Sequence, residues 1–288
     1  MASRVTSMAL AAVAAVVLAT TVAADQRGRP TSAEPAGPTP RLANGKPDLS
    51  GLWQNPYTPN MGRPGTVLDP VTRQPLTFAR MGEALPNAAD PASGQARTFD
   101  LPFTEWGLRQ WEEYDPVADG DYAGNCLPFG MSRNINSPHG LQIIQNNDAL
   151  AFLFEQNTWF HWVPTDGTGW PDDLWPTWNG VSTGHWDGDT LVIETTGFNG
   201  YSKLDTAGHP LSTELTLINT FLRTDEATLE HTVTVRDPKA YTRDWMNVRT
   251  WRLRRPPDVI IEYSCEENNL QNLIDGAIKL WKFPESGE

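Results

Sequence analysis

The stretch VSTGHWDGDTLVIETT, residues 181–196, decides the fold. Val181 to Trp186 and Asp189 to Thr195 read as two strands, and Asp187-Gly188 between them is a hairpin turn signal. The same grammar recurs outward from it. Leu141 to Gln145 ends at Asn146-Asn147-Asp148, and Ala149 to Glu155 meets Thr158 to Val163 at Gln156-Asn157. Ser212 to Arg223 and Thr228 to Asp237 flank Asp225-Glu226, and Val248 to Arg254 and Val259 to Ser264 flank Pro256-Pro257. Short strands joined by turns meander antiparallel, because a parallel pair needs a long crossover. The expected fold is mainly β: an antiparallel barrel of lipocalin or calycin-like kind, or a sandwich. Pattern alone fits both.

Before these strands the chain is irregular. PDLSGLW, residues 47–53, suggests a short opening strand ending in an aromatic anchor. TEWGLRQWEEYDP, from Thr104, predicts a helix capped by Thr104 and stopped by Pro116. At the other end Leu270, Leu273, Ile274, Ala277, Ile278 and Trp281 fall at helical spacing over Asn268 to Lys282. That C-terminal helix is expected to pack on a sheet face or close a barrel end, with a partner-binding helix as the alternative.

The first residues point to export. Arg4 precedes an apolar run from Met8 to Val22, and Val22-Ala23-Ala24 offers small side chains for cleavage. Residues 1–24 therefore read as a signal peptide, with an uncleaved anchor as the alternative. Residues 25–46 are rich in Pro, Gly and small polar groups, and are expected to be a flexible linker. Residues 47–288 are left as a single mainly-β domain, periplasmic or extracellular. No later run suggests stable membrane insertion. The formal charge is −13, and loss of Arg4 with the leader makes it −14. Such a surface repels phosphate backbones and anionic headgroups, which argues against nucleic acid as a partner. Cys126 and Cys265 both lie in the exported part and are expected to form a disulfide, since no CxxC offers a metal or redox motif.

Several blocks carry a likeness: PDLSGLW at 47–53, NCLPFGMSR at 125–133, NGVSTGHWDGDTLVIETTGFN at 179–199, EHTVTVRDPKAYTRDW at 230–245 and EYSCEENNLQNLIDGA at 262–277. In this order they resemble a family of secreted proteins common in Gram-negative bacteria and largely uncharacterised. The resemblance implies a shared fold and export, and brings no reaction with it. Family members tend to carry His after the second cysteine, where this chain has Glu266.

Candidate chemistry comes from a few residue types. His139 shares SRNINSPHG with Arg133, so an imidazole and a cation on one loop could hold a carboxylate, phenolate or enolate oxygen. The plainer reading is a loop pinned by hydrogen bonds. Across a two-residue turn at Gln156-Asn157, Leu153 would face His161 and Glu155 would face Trp159. Glu155 and His161 would then be diagonal neighbours, either an acid-base pair or a cross-strand pair on a wet face. His185 precedes a turn and alternates with Trp186. His231 alternates with Leu229, Val233 and Val235, while Glu230 and Arg236 share the other face. Either face could be inside, and Tyr263 beside Val259 and Ile261 has the same ambiguity. Trp159, Trp162, Trp170, Trp175, Trp178 and Trp186 cluster in and beside a loop, to stack on an aromatic or sugar ring or to fill the core. Asp115, Asp119 and Asp121 lack the spacing of a calcium loop.

The histidines show no tight ligand spacing, so no metal is expected, and no GxGxxG, P-loop, GxSxG or CxxCH occurs. The leading expectation is a secreted enzyme, without cofactor, acting on a small hydrophobic or aromatic molecule by acid-base chemistry, as a lyase, hydratase or isomerase. His139 or His161 would move the proton, Glu155 assist and Arg133 steady negative charge. Trp159, Trp178, His185, His231 and Tyr263 would surround the substrate. The alternatives are a non-catalytic binding protein for a lipid, terpenoid or glycan, and a structural partner in an envelope complex.

Overall fold

In the computed structural model, which describes residues 36–89, 96–171 and 173–283, the strands follow the alternation of the sequence. β1 is Gly51–Gln54, and β2 (Ala84–Ala89) and β3 (Ala96–Thr98) make a small separate hairpin. Three helices follow: α1 (Glu105–Glu113), α2 (Pro116–Asp119) and α3 (Met131–Ile135). Then come β4 (Leu141–Gln145), β5 (Ala149–Phe154), β6 (Phe160–Pro164), β7 (Val181–Asp187) and β8 (Thr190–Thr196). β9 (Thr216–Arg223), β10 (Thr228–Arg236) and β11 (Trp245–Arg254) complete the strands, and α4 (Cys265–Ile274) closes the series. The expected signal peptide and the part of the expected linker up to residue 35 lie outside the described residues.

Nine strands form one antiparallel sheet in the order β6-β5-β4-β1-β11-β10-β9-β8-β7. It consists of two meanders, β4 to β6 and β7 to β11, with β1 inserted between them. Trp53 of β1 pairs with Leu141 of β4 on one side and Leu253 of β11 on the other. Its ring is fully buried, as are those of Phe152, Phe221, Trp245 and Trp251. Truncating one such ring to Ala typically costs about 3–5 kcal/mol, so these aromatics dominate the core.

The two edge strands of this sheet, β6 and β7, lie side by side. No backbone ladder joins them among the described residues; side chains do. His161 Nε2 and Ser182 Oγ are 2.6 Å apart across the gap. A Cβ on Gly184 would sit 3.0 Å from Thr165 Cγ2 and 3.2 Å from Val163 Cγ1, so glycine here permits the close approach.

Several local expectations are corrected. The β5–β6 register is one residue off: Phe152 pairs with His161, and Phe154 N–H donates to the Trp159 carbonyl. Asn157 and Thr158 both adopt positive φ, 63° and 52°, and widen the turn beyond the two residues expected. Val259 to Ser264 is not a strand, because both edges of β11 are already paired, by β1 and β10. Val259 and Ile261 are consequently exposed. Pro116 does not merely stop a helix; it opens α2, which Asp115 caps. Thr104 does cap α1, accepting from the Gly107 N–H. The C-terminal helix is shorter than its stripe, ending before Gly276 at φ 72°, with Leu270 and Ile274 exposed.

Residues 36–46, expected within the linker, are docked. Thr39 Oγ1 donates to the Arg223 carbonyl, Glu226 N–H donates to the Gly37 carbonyl, and Arg41 forms two bonds to Asp189, at 2.8 and 2.6 Å. Cys126 and Cys265 form a disulfide, consistent with an oxidising compartment. Among the described residues no helix is long and apolar enough to cross a membrane.

Candidate functional site

The seam between β6 and β7 is where a titratable group, hydroxyls and exposed aromatics meet. Alternation along β6 sends Phe160 and Trp162 outward and His161 inward. On β7 the same alternation buries Ser182, whose cross-strand partner on β8 is Thr195. Ser182 Oγ and Thr195 Oγ1 are 2.6 Å apart, so imidazole and two hydroxyls form one chain buried in the protein. Burial pushes the His161 imidazole down to about 4, so it is neutral at pH 7.

Two clefts flank this chain. One, ≈ 240 Å³, is walled by Phe160, His161, Trp162, Trp170, Asn179 and Val181. The other, ≈ 340 Å³, runs on past Trp170 and Val181 to Trp175, Thr183, Glu194 and Thr196. Trp170 stands between them, its Nε1–H donating to the Ser182 carbonyl. The Trp-rich loop is thus tied to the strand that carries the hydroxyl chain. Trp162 and Trp175 are 47% and 87% exposed, far too open for core residues.

The low basicity of His161 has a measurable consequence. The unfolded imidazole protonates near pH 6.5 and the folded one near 4, so stability is complete above 6.5 and falls as pH drops toward 4. The acid loss attributable to His161 should total about 3 kcal/mol. Urea unfolding across that range should show a shallower acid slope in His161→Gln than in the parent; identical slopes would remove burial as the cause.

The remaining sequence candidates divide among other places. His139, Glu155 and Tyr263 come together: His139 Nδ1 is 3.9 Å from Glu155 Oε1, and its ring centroid is 5.2 Å from that of Tyr263. Glu155 is therefore the neighbour of His139, and the expected Glu155–His161 pairing gives way to His161–Ser182. Arg133 lies in α3, not on a loop with His139. It is buried against Asp121 at 3.0 and 3.2 Å, with its guanidinium over the rings of Tyr122 and Phe129. Asp121 is accordingly the ion-pair partner of Arg133.

His185 is exposed. His231 is fully buried: the apolar face of β10 is inside, the ring stacks on Phe221 at 4.7 Å, and Nε2 bonds Asn219 Oδ1 at 2.9 Å. Burial, then the nearby Arg249, hold it neutral. Trp159 packs against the core, and Trp178 stacks with Tyr122 and meets Trp281 beneath the C-terminal segment.

Two chemically loaded groups were not singled out from sequence. His209 is fully buried between carboxylates, with Nδ1 2.6 Å from Asp205 Oδ2 and Nε2 3.6 Å from Asp100 Oδ2. Despite desolvation, the charge of Asp205, its hydrogen bond to the ring and the nearby Asp100 carboxylate raise it to about 9. DTAGH, residues 205–209, held half of that signal. Lys203 lies in a cleft of ≈ 330 Å³ with Tyr114, Tyr201 and Trp281, and burial lowers its ammonium to about 8. Among the described residues no three His, Cys, Asp or Glu side chains converge as metal ligands.

No protein-family model, curated protein or solved structure matches this chain.

Proposed function

We propose that the protein is an exported enzyme that binds a small aromatic or hydrophobic molecule at the β6–β7 seam and moves a proton there without a cofactor. The observation that carries this reading is a neutral histidine in the wall of a tryptophan-lined cleft, anchored by a two-hydroxyl chain. If Nε2–H donates to Ser182 and Ser182 in turn to Thr195, Nδ1 keeps its lone pair as the base. Trp162 and Trp170 supply flat faces for a ring, and Asn179 can hydrogen-bond an oxygen substituent. The sheet would serve as a barrel whose last seam is closed by side chains, leaving that seam open to a ligand. What supports export is the expected signal peptide of residues 1–24 together with the disulfide.

The test is solvent deuterium exchange. Aryl-substituted ketones and aldehydes in D2O, followed by NMR, should exchange their acidic C–H faster with protein than without. His161→Asn should slow that exchange by about 10²-fold, the low end for a placed base, since an imidazole held down to about 4 is a weak one. Undiminished exchange in the variant would remove His161 from the chemistry. A second reading, non-catalytic capture of a glycan, is favoured by Trp175, whose exposed ring resembles a stacking platform for sugars. It is the better reading if tryptophan fluorescence reports saccharide binding that Trp175→Ala abolishes while no aryl carbonyl exchanges.

A further inference from the structure

β1 pairs only with residues 252–254 of β11, so the stretch from Asn247 to Thr250 is not covered by it. Residues 56–66 border this stretch instead, and a cleft of ≈ 360 Å³ lies between. It shares no lining residue with the two seam clefts.

Its charge runs against the rest of the molecule. The chain carries −13, yet among the described residues no Asp or Glu lines this cleft and two arginines do, Arg63 and Arg249. Arg63 is exposed, whereas Arg249 is 7% exposed. Among the described residues Arg249 donates only to neutral groups: Nη1 to Asn136 Oδ1, and Nη2 to Asn247 Oδ1 at 3.4 Å. Its Nε–H is buried with no acceptor among the described residues. Asp205 reaches it through space, but that carboxylate already binds His209 and accepts from the backbone N–H groups of Met61, Gly208 and His209. Neither arginine makes an ion pair among the described residues.

A buried cation facing only amide oxygens is an expensive arrangement unless an anion completes it. A guanidinium whose Nε–H lacks an acceptor and whose Nη2 makes only a long bond, at 3.4 Å, can turn that Nε–Nη2 edge to the two coplanar oxygens of a carboxylate. The rest of the wall is partly apolar, with Pro56, Tyr57 and Val248, which favours an organic acid over an inorganic oxyanion. We propose that this cleft is a binding site for a small organic carboxylate, held by Arg249 at the base and Arg63 at the mouth, with its apolar body against Tyr57.

The full exported chain can be titrated calorimetrically with benzoate and phenylacetate, against benzamide, inorganic phosphate and sulfate. Arginine side-chain NMR reads the Arg249 Nε–H directly. The expected result is a shift of that resonance with benzoate and phenylacetate, and no binding of benzamide. Arg249→Lys should weaken carboxylate binding on the order of ten- to a hundredfold, from loss of a charge-assisted, two-point contact. Arg63→Gln, an exposed change that leaves the core untouched, should weaken it severalfold and reduce its salt dependence. Failure of both acids to bind, or equal binding of benzamide, would overturn the proposal. So would phosphate or sulfate binding at least as tightly, or affinity unchanged in Arg63→Gln.

Discussion

A chain with Leu in place of His209 is expected to lose about 3–5 kcal/mol of stability, enough to unfold many domains. The reason is what remains. His209 lies fully buried on the face of Trp111, ring centroids 4.2 Å apart, between Asp205 and Asp100. Removing the imidazolium leaves two carboxylates in the interior with, among the described residues, only hydroxyl and amide donors bonded to them. Those donors limit the damage, since Asp205 keeps three backbone N–H bonds. The pH dependence gives the sign. The folded imidazole titrates near 9 and the unfolded one near 6.5, so its contribution is complete below 6.5 and is lost as pH rises through 9. The alkaline loss should amount to about 3 kcal/mol and should be missing from the variant. Equal urea midpoints for parent and variant at pH 6 would contradict the argument. Taken with His161, whose acid loss runs the other way, the two imidazoles together contribute most near pH 6.5.

Reduction of the Cys126–Cys265 disulfide should be the other large effect. The bridged residues are 139 apart, and in the chain-entropy model a loop of that size contributes about 5 kcal/mol, with measured losses commonly about 2–5. Part of the stabilisation is returned as strain, because Cys126 sits at φ 61°, a conformation disfavoured for any residue with a Cβ. A double variant, Cys126→Gly with Cys265→Ser, should therefore be more stable than Cys126→Ser with Cys265→Ser, by about 1 kcal/mol. Both should show altered tryptophan emission, since Trp281 is brought against Tyr122 and Trp178 downstream of the bridge. Guanidine melts of the two variants and the oxidised parent would decide it; identical stabilities for all three would show that the cross-link does little.

Much of the sheet was legible because period-two alternation and turn residues are local. β7 and β8 read directly from VSTGHWDGDTLVIETT, except that the turn lies at Gly188-Asp189 rather than one residue earlier. What failed was whatever depended on partners far along the chain. Val259 to Ile261 alternates like a strand but finds no free edge. The β5–β6 register slipped because Thr158, a β-branched residue, takes positive φ, which no propensity suggests. That slip took Glu155 away from His161, and the approach of β7 to β6 supplied Ser182 instead.

At the candidate sites the same rule holds. His161 and the neighbouring tryptophans were visible as residue types, but Ser182 and Thr195 looked like ordinary strand residues. Arg249 alternates with Asn247 and Trp251, and nothing local tells a wet face from a polar interior. Arg133 was read with His139 because six positions separate them, yet α3 turns its side chain toward Asp121.

The place of β1 has a consequence for how the chain reaches this state. Leu52 lies between Gln142 and Arg254, so the rung joining the two meanders comes from the earliest strand while one of its neighbours is the last. A chain emerging amino end first can form each meander by itself but cannot weld them until β11 arrives. Such late, long-range closure makes for slow folding. It also keeps a partly made chain threadable, a useful property in any protein that must be passed through a narrow channel before it folds.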